Sequence, residues 1–221
     1  IYKAAISLDI PFCVFKVTGL ASTPLLAKVQ KGDALTQPEE KAWKRVQERV
    51  YNICETAYKK RVRIFIDAEE TWIQKTIDDL AREMMRLFNQ EQAIVYNTYQ
   101  MYVASKLAQL KADFADAEQH NYFLAAKLVR GAYMEKERDR AEEKGYPDPI
   151  QPSKQASDDD FNEALKFCVE HKKQVAICAG THNEFSSYLL TALMEEHGIK
   201  KNDPNFFFAQ LLGMSDNISF N

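Results

Sequence analysis

The chain has 221 residues, 46% of them hydrophobic, which is enough to bury a substantial core in one or two domains. Its 29 basic and 32 acidic residues are interspersed and leave a net charge of −3, so the electrostatic footprint of a nucleic-acid binder is missing. No stretch reaches the roughly 18 to 20 consecutive apolar residues of a membrane span, and no signal-peptide pattern stands at Ile1.

In chain order, short apolar runs rich in Val, Ile and Phe predict strands at Phe12 to Val17, Val62 to Ile66, Ile94 to Tyr96, Leu124 to Val129, Val175 to Ala179 and Phe206 to Phe208. Between the first two runs, Trp43, Val46, Val50, Ile53 and Ala57 mark one helix face. That helix is opened by a Thr36/Glu39 capping box, with Pro38 tolerated in its first turn. Ile73, Ile77, Leu80, Met84 and Leu87 mark the next helix, then Val103, Leu107, Leu110, Phe114 and Ala117, and later Phe185, Leu189 and Leu193. A helix from near Met134 stops at Gly145, where YPDPIQP cannot continue it, and another restarts near Ser157. Cys13, Cys54, Cys168 and Cys178 form no CxxC and sit in apolar or helical patterns, which predicts reduced, buried thiols in a reducing compartment.

Strict alternation of strands and helices predicts an α/β fold with a parallel sheet in a single domain. VTGLAST after the first strand lacks the GxGxxG spacing of a dinucleotide site, which favours a (βα)8 TIM-like barrel over a doubly wound sheet. Six of the eight βα units are visible, and two are expected beyond Asn221. The abrupt start at IYKAAISLD and end at ISFN are expected to be boundaries at which the domain is truncated and a targeting segment could be lost.

The carboxyl ends of parallel strands are where such folds place ligands. There the chain carries Lys16, Asp67 with Glu69, Asn97 with Tyr99, Lys127 with Arg130 and Tyr133, Thr181 with His182 and Asn183, and Gln210. Arg130, Gly131 and Tyr133 stand out, because a cation and a glycine meet where an apolar strand stops. Bland readings exist: Asp67 could cap the helix near Thr71, and Asn183 could be an N-cap. Lys16 and Lys127 lie in or beside apolar strands, where a charge needs an anionic partner or a polar pocket. Cations outnumber the evident acids, which points to an anionic or electron-rich ligand. His182 could be an acid or base, a ligand or a hydrogen-bonding core residue. The four histidines, at 120, 171, 182 and 197, form no paired ligand motif, so no metal is expected. No GxSxG, Walker loop or HExxH occurs.

The ordered set VFKVTGL, FIDAEETW, VYNTYQMY, AAKLVRGAYMEKER, YPDPIQPS, GTHNE and FAQLLGMSDNISF resembles the catalytic barrel of proline dehydrogenase, from about Cys13 to the last residue. The layout is more similar to the monofunctional and mitochondrial-type members than to the long bacterial proline utilisation proteins. The resemblance implies a distorted (βα)8 barrel that binds FAD without a covalent link. It implies oxidation of L-proline to Δ1-pyrroline-5-carboxylate by hydride transfer to flavin N5, with electrons passed to a quinone and possible peripheral membrane association. By the same resemblance Lys16 pairs with the proline carboxylate and Asp67 stands beside the substrate. Ala132, Tyr133 and Leu211 border the proline ring, with Tyr133 counted among the catalytic residues. Lys127 approaches flavin N5. Asn97, Tyr99, Val129, Arg130, Gly131, Thr181, His182, Asn183 and Gln210 hold the cofactor.

Many bacterial members carry Arg at Lys127 and Lys at Arg130, an exchange of a forked donor for a point charge. The family's last strand units and a helix with an arginine pair would follow Asn221, and substrate affinity is expected to be poor without them. The resemblance implies a bacterial inner-membrane or cytoplasmic location, or a mitochondrial inner-membrane or matrix one in a eukaryote; the bacterial setting is favoured. Two alternatives stay open at this stage: a Schiff-base lyase or aldolase using Lys16 or Lys127, and a non-catalytic module pairing through exposed strand edges.

Overall fold

The computed structural model describes residues 1–7, 10–214 and 216–219. Its elements run α1 (Tyr2–Ala5), β1 (Phe12–Phe15), a 3-10 turn (Val17–Gly19), α2 (Thr23–Lys31), α3 (Gln37–Lys60), β2 (Arg63–Ile66), α4 (Thr71–Phe88), β3 (Val95–Gln100), α5 (Lys106–His120), β4 (Leu124–Val129), α6 (Met134–Lys144), α7 (Lys154–Glu170), β5 (Val175–Gly180), α8 (Glu184–Glu196), β6 (Phe206–Ala209) and α9 (Asp216–Ser219). The sheet order is β1-β2-β3-β4-β5-β6. Cys13 is in register with Ile64, Ile64 with Val95, and Ile177 with Phe206, all in parallel pairs. The predicted alternation is therefore present as six βα units, while an eightfold ring is not seen among the described residues. Ser215 and Phe220 of the FAQLLGMSDNISF stretch lie outside them.

The chain divides into two compact units, Ile1–Thr98 with His120–Ala125, and Tyr99–Gln119 with Ala126–Asn221. In the first, Val46, Val50, Cys54 and Ala57 form the buried stripe of α3, and each of the two valines contributes about 1.5–3 kcal/mol. The capping box opens this helix as expected, with the Thr36 N–H donating to Glu39 Oε2 at 2.7 Å. Phe12 stacks on Phe65 at 4.2 Å, and both meet Tyr96 edge-on, at 5.4 and 5.5 Å, on one face of the sheet. Asn89, fully buried at the end of α4, closes the opposite edge of the core. It donates to Val95 O at 2.8 Å and Phe123 O at 3.0 Å and accepts from the Ile94 and Val95 N–H groups at 3.0 and 2.8 Å. In the second unit Phe161, Leu165 and Cys168 of α7 and Val175 to Cys178 of β5 supply core. Gly145 ends α6 at φ 68°, a left-handed cap that glycine adopts without a Cβ penalty.

Several expectations need correction. Val103 is not helical: α5 starts at Lys106, and Val103 instead bridges Ile150. Phe185 is 67% exposed, and α8 buries Ser186, Ser187, Leu190 and Met194 in place of the expected Phe185, Leu189 and Leu193 face. Leu87 is likewise exposed, with Phe88 taking the buried position. Helix α7 begins at Lys154, capped by Ser153, ahead of the expected start near Ser157. The short helices α1 and α2 were not anticipated. All four cysteines are free thiols, three of them buried and Cys13 half-buried.

Candidate active site

In the first unit the residues after β1 and β2 come together. Lys16 Nζ lies 3.6 Å from Asp67 Oδ2 and donates to Ala68 O at 3.4 Å. Asp67 thus pairs with a lysine, and the residue at the α4 N-cap is Glu70. The turn behind Lys16 is held by Glu69, whose carboxylate accepts the Thr18 N–H at 3.0 Å and the Thr18 hydroxyl. The Glu69 N–H donates to Gln74 Oε1 at 2.7 Å, Gln74 donates to Asp78 Oδ1 at 2.8 Å, and Asn97 donates to the same oxygen at 2.9 Å. A buried polar chain therefore runs beneath the Lys16–Asp67 pair, which itself is part-exposed.

Strand alternation sorts the residues of β3. Asn97 and Tyr99 share one face. There Asn97 reaches α4 through Asp78, and the fully buried Tyr99 hydroxyl donates to Asp113 Oδ2 of α5 at 2.8 Å. These contacts engage both side chains with helix residues. Gln100, on the other face at the last position of β3 and 2% exposed, is a strand-end polar residue that sequence reading passed over; counting the alternation from Asn97 would have found it.

In the second unit the turn after β4 carries Arg130, whose guanidinium is fixed on three sides. Nε donates to Asp158 Oδ1 at 2.5 Å, Nη1 to Thr181 Oγ1 at 2.7 Å and Nη2 to Ser186 Oγ at 3.0 Å, while Phe161 lies under it at 4.5 Å. Burial pushes the Asp158 carboxyl up, but hydrogen bonds from Lys154 and Arg130 outweigh this and hold it below the ordinary carboxylate range. Ser186 in turn donates to Asn162 Oδ1 at 2.7 Å. Asp158, Asn162 and Ser186 were all missed by sequence reading; Asp158 and Asn162 lie within α7 and Ser186 in the first turn of α8, all far along the chain from Arg130. Lys127 and Val129 sit half-buried on β4, and Gly180 closes on them from β5. A Cβ there would stand 3.0 Å from Val129 Cγ1 and 3.2 Å from Leu128 O. Gly131 and Ala132 are exposed, and Tyr133 is half-buried.

Beyond β5, Thr181 Oγ1 also accepts the Asn183 N–H at 3.0 Å, and Asn183 caps α8 by accepting the Ser186 N–H at 3.0 Å, the bland role foreseen for it. His182 Nε2 accepts the Leu211 N–H at 3.3 Å, which leaves the proton on Nδ1. That Nδ1 and Gln210 Nε2 are buried and have no hydrogen-bond partner. Leu211 is 67% exposed. Two unmatched donors after β5 and β6, beside a fixed arginine, fit an acceptor-rich, anionic group. FAD, with its carbonyls and diphosphate, is such a group. No cluster of metal-ligating side chains occurs among the described residues.

A parallel α/β sheet with charged and polar groups at its strand ends belongs to the α/β class of folds, in which that edge is the usual place for a ligand. The chain belongs to the proline dehydrogenase family, whose model matches residues 4–221. It is 38% identical over 192 residues to proline dehydrogenase 1, mitochondrial, of Drosophila melanogaster, covering 82% of this chain and 28% of the relative. It is 36% identical over 200 residues to the human protein of the same name, covering 89% and 32%. A hydroxyproline dehydrogenase of Xenopus laevis is 34% identical over 77% of this chain and 38% of its own length. The chain thus spans about a third of the length of the curated relatives it matches. The fold is shared with proline utilization A of Bdellovibrio bacteriovorus, a structure inactivated by N-propargylglycine. The TM-score is 0.80 at 21% identity, over 93% of this chain and 20% of that one. The two mitochondrial relatives are eukaryotic, which gives the expectation of a bacterial setting no support.

Proposed function

We propose that this chain is part of the catalytic domain of an FAD-dependent proline dehydrogenase that oxidises L-proline to Δ1-pyrroline-5-carboxylate, the first step of proline breakdown. Both units serve that domain, and the six βα units belong to a (βα)8 ring. The observation that carries the reading is the pair of unmatched buried donors, His182 Nδ1 and Gln210 Nε2, at the strand ends of a chain in this family. Together with Arg130, Thr181, Lys127 and the backbone of Val129 and Gly131 they would hold FAD, while Asn97 and Tyr99 brace β3 through α4 and α5. When bound, FAD would supply a two-electron acceptor for a hydride from the substrate, with a quinone at a membrane surface as the onward acceptor.

The chain's own part is charge placement. Proline is a zwitterion, and Lys16 and Asp67 present one charge of each sign 3.6 Å apart. The carboxylate goes to Lys16 and the ring nitrogen to Asp67. The pair is part-exposed and its separation is long for an ion pair, so a ligand can replace its internal contact at little cost. At Lys16 the same contact disfavours Schiff-base chemistry, which is served by a lysine without a counter-ion in an apolar pocket. A eukaryotic source would place the protein in the mitochondrion, as its named relatives are.

The test is the visible absorption spectrum of the purified chain after incubation with FAD, before and after anaerobic addition of L-proline. Flavin bands that persist through gel filtration and bleach with proline support the proposal. A chain that takes up no FAD overturns it.

A further inference from the structure

The turn Arg130 to Tyr133 is a short path on which a cation and an aromatic residue leave the sheet in quick succession, and its shape has to be fixed. Its glycine cannot do this. Gly131 has φ 146°, a backbone setting open to glycine that imposes no single conformation on it. The constraint comes from the turn after β3, in the same unit. Met101 N–H donates to Val129 O and Tyr102 N–H to Arg130 O, each at 2.8 Å. The Tyr102 ring then lies flush on Gly131, where an added Cβ would be 2.3 Å from its Cε1 atom, and the Tyr102 hydroxyl accepts the Tyr133 N–H at 3.3 Å. One residue thus spans the turn, its backbone N–H at Arg130 and its side chain from Gly131 to Tyr133. It is itself held from behind: Gln151 N–H donates to Tyr102 O at 2.7 Å, and Ala104 N–H to Pro149 O at 3.0 Å. Tyr102, Val103 and Ile150 pack together as a small buried cluster.

We infer that Tyr102 is a positioning residue, which clamps the Arg130–Tyr133 turn so that the Arg130 and Tyr133 side chains depart in one fixed geometry. The Arg130 head group is anchored separately by Asp158, Thr181 and Ser186. Backbone and guanidinium are therefore each pinned before any ligand arrives, which lowers the ordering cost of binding. The inference rests on the proposed FAD-dependent reading for its functional consequence, but the clamp itself does not.

The experiment compares the wild-type chain with Tyr102→Phe, which keeps the ring and removes the hydroxyl that accepts the Tyr133 N–H. Amide hydrogen exchange is read without cofactor, and FAD affinity is read by flavin fluorescence quenching. The Tyr133 amide is expected to exchange about tenfold faster in the variant, while the Ile94 and Val95 amides, bonded to Asn89, do not change. FAD affinity is expected to fall about threefold to tenfold with an unchanged far-ultraviolet circular dichroism spectrum. Unchanged exchange at Tyr133 overturns the clamp. Faster exchange with unaltered FAD affinity overturns the positioning role. If the wild-type chain binds no FAD, the functional reading has failed, and exchange alone still decides the clamp. Should Tyr102→Phe fail to fold, 3-fluorotyrosine at position 102 weakens the acceptor without altering packing and is expected to give a smaller acceleration at the same amide.

Discussion

Arg130 and Asp158 are joined by a 2.5 Å hydrogen bond from Nε to Oδ1, with only 21% and 13% of their side chains exposed. Asp158 also accepts from Lys154 at 2.7 Å, so one carboxylate serves two cations and the cluster keeps a net positive charge. Asp158→Ala leaves a part-buried guanidinium short of its acceptor, at a cost of about 1–3 kcal/mol, read as a lower midpoint in urea unfolding. The Asp158 carboxyl is held below its ordinary value, so its contribution is complete above the unfolded pKa of about 4 and is lost as pH falls through the folded one. Asp158→Asn is therefore expected to flatten the decline in stability below pH of about 4, in a series of denaturation curves.

Lys16 faces Asp67 across 3.6 Å. If its role is to receive the proline carboxylate, Lys16→Ala is expected to raise KM for proline about tenfold to a hundredfold with a smaller change in kcat. Steady-state kinetics on the FAD-loaded protein separate the two. For the unaltered protein, activity is expected to rise between pH of about 6 and about 9 as the substrate amine loses its proton.

Asn89 satisfies four backbone groups with one buried amide. Asn89→Ala orphans all four, and a loss of roughly 2–4 kcal/mol is expected, visible as a thermal midpoint lowered by several degrees. Asn89→Asp sets a buried carboxylate against the Val95 and Phe123 carbonyl oxygens and is expected to cost at least as much.

Burial pushes the thiols of Cys54 and Cys178 up to about 12, with the Lys127 charge partly offsetting the effect at Cys178, and Cys168 is pushed up by burial as well. At neutral pH these three are expected to resist a thiol reagent in the native protein and to react together in denaturant. Titration with a chromogenic disulfide should show at most one fast thiol, Cys13.

The strands were legible because each contains a short apolar run, although β3 continues through Asn97 to Gln100 and β4 includes Lys127. Lys16, Asp67 and Arg130 were legible because each stands at the end of such a run. Helix α8 was legible but its buried face was not, since Ser186 and Ser187 occupy that side and Ser186 meets Arg130 and Asn162 there. A hydrophobic period cannot report a core position filled by a polar residue with a distant partner. The same holds for Asp158, one of three consecutive aspartates and 28 residues beyond its arginine. Asn97 and Tyr99 were chosen by nearness to the strand end, whereas which face each one takes follows from alternation along β3.

The bond from Asn89 to Phe123 has a consequence for how the protein is made. The first compact unit includes His120–Ala125, so it cannot be completed when Thr98 leaves the ribosome. Residues 99–119, which belong to the second unit, are already synthesised by then. The two units are interleaved in order of synthesis, and a fragment ending near residue 100 is expected to remain unfinished and prone to aggregate, with β3 formed but the far side of Asn89 unpaired.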